Sequence, residues 1–198
     1  MARTRAFDRA DVLDRAMTLF WEHGFSETSM QMLVTHMGIC RSSLYETFSS
    51  KEDLYREAID LYVTRSLDTI GSLLRAEASP RRSISSLFES ELEALLRSET
   101  PTCLLLRTAV ARCRGCPETS EKVRDWLSRL VALFEKRLEE AQSAGEVAAD
   151  FDTDGVAHHL VNTLLGLKAQ GGIPAGRASL DATIRTALRA LGPTNDDL

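Results

Sequence analysis

Residues 26–54, Ser-Glu-Thr-Ser-Met-Gln-Met-Leu-Val-Thr-His-Met-Gly-Ile-Cys-Arg-Ser-Ser-Leu-Tyr-Glu-Thr-Phe-Ser-Ser-Lys-Glu-Asp-Leu, decide the fold. Met30, Leu33, Val34 and Met37 recur at spacings of three and four, which puts them on one helical face. Thr28 or Ser29 supplies the N-cap, because a side-chain oxygen there accepts from an N–H with no helical partner. Gly38 ends the helix, since glycine takes a positive φ without a Cβ clash. A second short helix is predicted over 41–48, with Leu44 and Phe48 on its inner face. Ser50 caps the helix after that, with Asp53 placed to reach back toward the cap. Helix, glycine turn, helix is the helix-turn-helix pattern, whose second helix enters the DNA major groove.

Upstream, Asp8 caps a helix expected to run to about 23, with Leu13, Ala16, Met17, Phe20 and Trp21 as its apolar stripe and Gly24 as its stop. Residues 1–6 carry Arg3 and Arg5. A frayed terminus and a basic arm for a minor groove both fit them. A three-helix head this small needs support. The helix expected from Lys51 to about 76 supplies it.

Downstream, helical periodicity continues over about 81–98, 102–112, 117–144, 154–170 and 179–191, with breaks at Pro80, Pro101 and 171–174. With no β-type alternation, the chain reads as all-α, about nine helices in total: a three-helix head followed by a larger helical body. Val156, Leu160 and Leu164, with Leu180, Ile184 and Leu188, form more apolar surface than one bundle edge needs. They are read as body core or as a two-fold interface. The spacing of operator half-sites, about 34 Å, tips the reading toward a homodimer.

The chain holds 198 residues, 43% of them hydrophobic, without an apolar run long enough to span a membrane. The N-terminus lacks a signal peptide's apolar segment, and four cysteines are too few for a disulfide scaffold. A cytoplasmic protein with no membrane partner is expected. Net charge is −5, and residues 1–60 hold ten acids against seven bases. Positive charge is therefore local, at Arg3, Arg5, Arg41 and Lys51, and DNA affinity should be salt-sensitive and rest on few contacts. The sequence carries no nucleophile elbow, P-loop, dinucleotide glycine motif or H-E-x-x-H pattern. Neither an enzyme nor a cofactor is expected.

Ala16, Leu19-Phe20, Gly24-Phe25, Thr28-Ser29, Leu33-Val34, Met37-Gly38-Ile39, Ser43-Leu44-Tyr45, Phe48, Ser50-Lys51-Glu52 and Leu54 together resemble the tetracycline-repressor (TetR/AcrR) family of transcriptional regulators. The resemblance is dense over residues 7–60 and rests on helix count beyond them. It implies a DNA-binding domain over 1–50 and a ligand-binding and dimerisation domain over 51–198. It also implies a repressor that grips a double-stranded, palindromic operator as a homodimer and is released by a small-molecule effector. Thr28 or Ser29, Tyr45 and Lys51 are then candidate backbone contacts, and Arg41, Ser42, Ser43, Glu46 and Thr47 the reading face, with Arg5 of the basic arm a further DNA-binding candidate. Arg41 near the helix start can hydrogen-bond guanine O6 and N7. Glu46 departs from the pattern; it accepts from cytosine N4 or points away. Cys40 stands at a cap position where a thiol caps poorly. A body pocket is the family default, with Tyr62, Phe88, Trp126, His158 and Asn162 as candidate lining.

Cys113 and Cys116 form a C-x-x-C beside Arg112 and Arg114. Cationic neighbours lower a thiol's pKa, so structural cysteines, a redox switch and half of a metal site are all consistent with them. A thiol- or metal-sensing regulator, or a helical ligand-binding protein without DNA binding, are the alternative functions.

Overall fold

Asp8 opens the first helix by accepting from the Ala10 amide at 2.8 Å. The structure, a computed structural model, describes residues 7–97, 103–110, 117–170 and 176–192. Over these it is helical, in the order α1 (Arg9–Glu27), α2 (Met30–Met37), α3 (Arg41–Phe48), α4 (Lys51–Leu74), α5 (Pro80–Leu96), α6 (Leu104–Val110), α7 (Pro117–Ser143), α8 (Thr153–Ala169) and α9 (Arg177–Leu188), closed by a 3-10 turn at Arg189–Leu191. The caps follow the local chemistry. Ser29 accepts from Met32 N, Ser79 from Arg82 N with Pro80 next to it, and Asp152 from Gly155 N. No helix among the described residues is long and apolar enough to cross a membrane.

The chain packs as two compact units, Met1–Arg65 with Leu104–Val123, and Ser66–Cys103 with Arg124–Leu198. This division differs from the sequence boundary at residue 50, because α6 returns to pack on α1. Helix α1 breaks at Gly24, whose φ of 79° and ψ of 172° are closed to a side chain. The break frees carbonyls, and Arg107 of α6 donates to two of them, Trp21 O at 3.1 Å and Glu22 O at 3.0 Å. Thr108 donates to Leu104 O at 2.7 Å, and the Thr108 and Tyr55 hydroxyls share a second hydrogen bond, also at 2.7 Å. Phe20, Leu33, Leu44, Leu54, Tyr55, Ala58 and Ile59 form the core of this unit.

In the second unit, α5 and α9 both pack against α8. Trp126, Leu130, Phe134, Leu138 and Ala141 form one buried row on α7. Arg137 binds Ser83 Oγ at 2.9 Å and Glu77 O at 2.6 Å. Lys168 pairs with Glu91 at 2.7 Å, tying α8 to α5. Leu160, Leu164, Leu180 and Ile184, expected at a dimer interface, are at most 5% exposed in the single chain. Their apolar surface is already spent inside the protomer, so the periodicity that marked them reported core. Val156 and Leu188 are half-buried.

Candidate nucleic-acid interface

The α2–α3 turn depends on Gly38, at φ 70° and ψ 26°. Its amide and that of Ile39 both donate to Val34 O, at 3.1 and 3.3 Å. Leu33 and Met37 from α2 and Leu44 and Phe48 from α3 fill the interior. That burial leaves Arg41, Ser42, Tyr45 and Glu46 exposed on the opposite face of α3, with Ser43 and Thr47 half-buried beside them. The Arg41 guanidinium carbon lies 5.7 Å from the Tyr45 ring centroid, a cation–π geometry that orders two side chains otherwise free in solvent. Tyr45 is 42% exposed, unusual for a large apolar ring among the described residues. Thr47 spends its hydroxyl on Ser43 O at 2.7 Å.

At one flank, Ser29 is exposed at the start of α2. Thr28 is a correction: its side chain is fully buried and donates to Gly24 O at 2.6 Å. It holds the α1 break and presents no side chain to a phosphate. At the other flank, Ser49 takes a positive φ of 59°, a strained conformation for a non-glycine residue that makes the α3–α4 turn tight. Lys51 follows directly, with its ammonium 4.3 Å from the Phe25 ring centroid. Phe25 is itself wedged 4.9 Å from the Tyr55 ring. Ser50 accepts from Asp53 N at 3.0 Å and donates to Asp53 Oδ2 at 2.5 Å. This reciprocal cap, helped by Arg56, holds the Asp53 carboxyl below its usual range.

Cys40 caps nothing with its side chain. Its sulfur lies 3.1 Å from both the Ser42 and Ser43 hydroxyls. Those hydroxyls, Ser42 foremost, stabilise the thiolate and bring the thiol's pKa down to about 7. Sequence reasoning anticipated the poor cap. The perturbed thiol was not anticipated, although two serines within one turn were its signal. The Lys51–Phe25 pair spans 26 positions and leaves no local signal at all.

The chain matches two family models, that of the bacterial regulatory proteins of the tetR family over residues 12–58 and that of the tetracyclin repressor-like C-terminal domain over residues 80–187. It belongs to the TetR family. An uncharacterized HTH-type transcriptional regulator of Bacillus subtilis, YezE, is 30% identical over 96% of this chain and 100% of its own length. The Escherichia coli HTH-type transcriptional repressor ComR is 28% identical over 94% of this chain and 90% of its own. Among solved structures, a cysteine mutant of the TetR-family regulator CifR, complexed with 26-base-pair operator DNA, superposes with a TM-score of 0.84 at 30% identity, covering 96% of this chain and 100% of that one. This TetR-family chain is a regulator of transcription, not an enzyme.

The residues expected to line a body pocket have different surroundings. Tyr62 lies in the first unit, edge-on to Trp21 at 5.4 Å. Phe88 is fully buried against Phe134, with ring centroids 6.5 Å apart. His158 and Asn162 face solvent on α8, His158 within 3.6 Å of Asp154. Trp126 is 1% exposed, and its indole N–H has no acceptor among the described residues. A buried donor without a partner is costly, so Trp126 is the one expected pocket residue with an unmet polar demand. Arg5, Cys113 and Cys116 lie outside the described residues. No three metal-ligating side chains cluster among the described ones.

Proposed function

We propose that this chain is a repressor that binds a palindromic operator as a homodimer and leaves it when a small molecule occupies the body. One observation carries the reading: a short helix whose inner residues are fully buried presents Arg41, Ser42, Tyr45 and Glu46 outward, between Ser29 and Lys51. Ser29 and Lys51 suit phosphate oxygens, and Arg41 suits a guanine edge. The CifR complex with operator DNA supports the same use of the head. Two half-sites demand two heads. The solvent side of α8 and α9, with Asn162, Gly166 and Ala182 exposed, offers small side chains for close helix approach between protomers. An effector acts by population shift, favouring the dimer state that does not fit DNA.

Fluorescence anisotropy with a duplex from the chain's own upstream region tests the reading. The expected result is a salt-dependent complex, weakened by Tyr45→Ala and by Lys51→Ala. A complex indifferent to both substitutions, or to salt, would place DNA elsewhere on the protein.

A further inference from the structure

Between α4 and α7, within the second unit, lies a groove of about 410 Å³. Its volume is in the range of small-molecule sites, roughly 300–1,000 Å³, and it is open to solvent, with Asp68, Arg75, Arg129, Ala132 and Lys136 exposed and Leu67 and Gly71 buried at its floor. Gly71 forms part of its wall and is buried. Gly71 lies in the last turn of α4. Its lack of a side chain leaves space: a Cβ on residue 71 would stand 3.2 Å from Nη1 of Arg75, whose guanidinium lies in the room the glycine leaves. Arg129 and Lys136 bring two more cations from α7, and Leu67 and Leu133 supply apolar wall. Asp68 is the one acid in the lining. The groove is thus a local excess of positive charge in a chain whose net charge is −5. Among the described residues, Arg75 and Lys136 have no ion-pair partner. Arg129 has Asp125 at 3.5 Å, with both side chains exposed, an arrangement of little strength.

We infer that this groove is the effector site, and that its ligand is a small amphipathic organic anion. The inference rests on the effector-responsive reading above. Guanidinium forks on Arg75 and Arg129 match the oxygens of a carboxylate or phosphate head, and the Lys136 ammonium adds a point charge. The apolar body of the ligand lies against Leu67 and Leu133. Neutral and cationic molecules gain nothing from three cations, so the groove selects by charge as well as by shape.

Isothermal titration of the full-length protein tests this with four probes: decanoate, decyl phosphate, decanol and inorganic phosphate. Decanoate or decyl phosphate is expected to bind, with decanol and inorganic phosphate at least about tenfold weaker. The Arg75→Gln/Lys136→Gln double variant is expected to lose about tenfold or more in affinity for the binding anion. Gly71→Ala is expected to weaken binding while leaving the ligand-free melting temperature at or above that of the wild type, which separates a blocked groove from a damaged fold. Equal binding of decanol, undiminished binding by the double variant, or no binding of either anion overturns the inference. Operator titrations on the same proteins keep the two readings apart. Intact operator binding without anion binding sinks only the groove, whereas absence of operator binding in every preparation sinks the repressor reading.

Discussion

The Lys51 ammonium stands 4.3 Å from the centre of the Phe25 ring, and Phe25 is aimed there by the break at Gly24. The pair converts a flexible four-carbon stem into a placed charge. A cation–π contact at such a site is worth about 0.5–1 kcal/mol. Phe25→Leu is therefore expected to weaken operator binding by roughly two- to fivefold, since 1.4 kcal/mol is tenfold. Lys51→Ala is expected to reduce the salt slope of binding by about one. Anisotropy titrations at several salt concentrations read both. A Phe25→Leu protein that binds like wild type would show that the ring does not position the charge.

Arg41 is the only cation on the exposed face of α3. If it reads a guanine, Arg41→Ala costs about 1–3 kcal/mol on the preferred duplex and much less on one substituted at that base pair. Competition between duplexes decides this. A uniform loss across all sequences would make Arg41 a phosphate contact instead.

The Cys40 thiol is lowered from 9.0 to about 7 by the Ser42 and Ser43 hydroxyls. The thiolate is the nucleophile, so alkylation by iodoacetamide should rise with pH through a midpoint near 7. Ser42→Ala should move the midpoint upward, because it removes the largest stabilising contact. Peptide mapping isolates Cys40 from the buried Cys103. Operator DNA should protect the thiol, and alkylation at equal rates with and without DNA would argue that α3 does not enter the groove.

Gly24 takes a backbone conformation closed to other residues. Gly24→Ala is expected to destabilise the fold by about 1–3 kcal/mol in urea unfolding. Arg107→Ala should lower stability as well, by leaving the Trp21 and Glu22 carbonyls without its guanidinium. An unchanged midpoint for Gly24→Ala would mean that the break is not required.

Asp53 is held below its usual carboxylate pKa of 3.8, first by the Ser50 hydroxyl and then by Arg56. A depressed folded pKa contributes stability that is present above 3.8 and lost as pH falls through the lower, folded value. Asp53→Asn should therefore be less stable than wild type at neutral pH, with the gap closing in acid. A gap that stays constant as the pH falls well below the usual carboxylate range would point to shape instead of charge as the cause.

Local patterns in the sequence were enough to determine the helices, the caps at Asp8 and Ser50, a cap at Thr28 or Ser29, the Gly38 turn, and the outward face of the helix that carries Arg41, Ser42, Tyr45 and Glu46. Those features depend on residues a few positions apart, where spacing and side-chain chemistry act directly on the backbone. Only the tertiary structure decided which apolar stripes were already satisfied. Leu160, Leu164, Leu180 and Ile184 look alike in sequence whether they meet α5 or a second protomer, because periodicity reports that a face is buried and not against what. Thr28 turned inward for the same kind of reason: the Gly24 carbonyl that takes its hydroxyl exists as a free acceptor only once the helix has broken. Lys51 over Phe25, Arg107 on the end of α1, and the cations around Gly71 join residues far apart in the chain. Packing alone sets those distances.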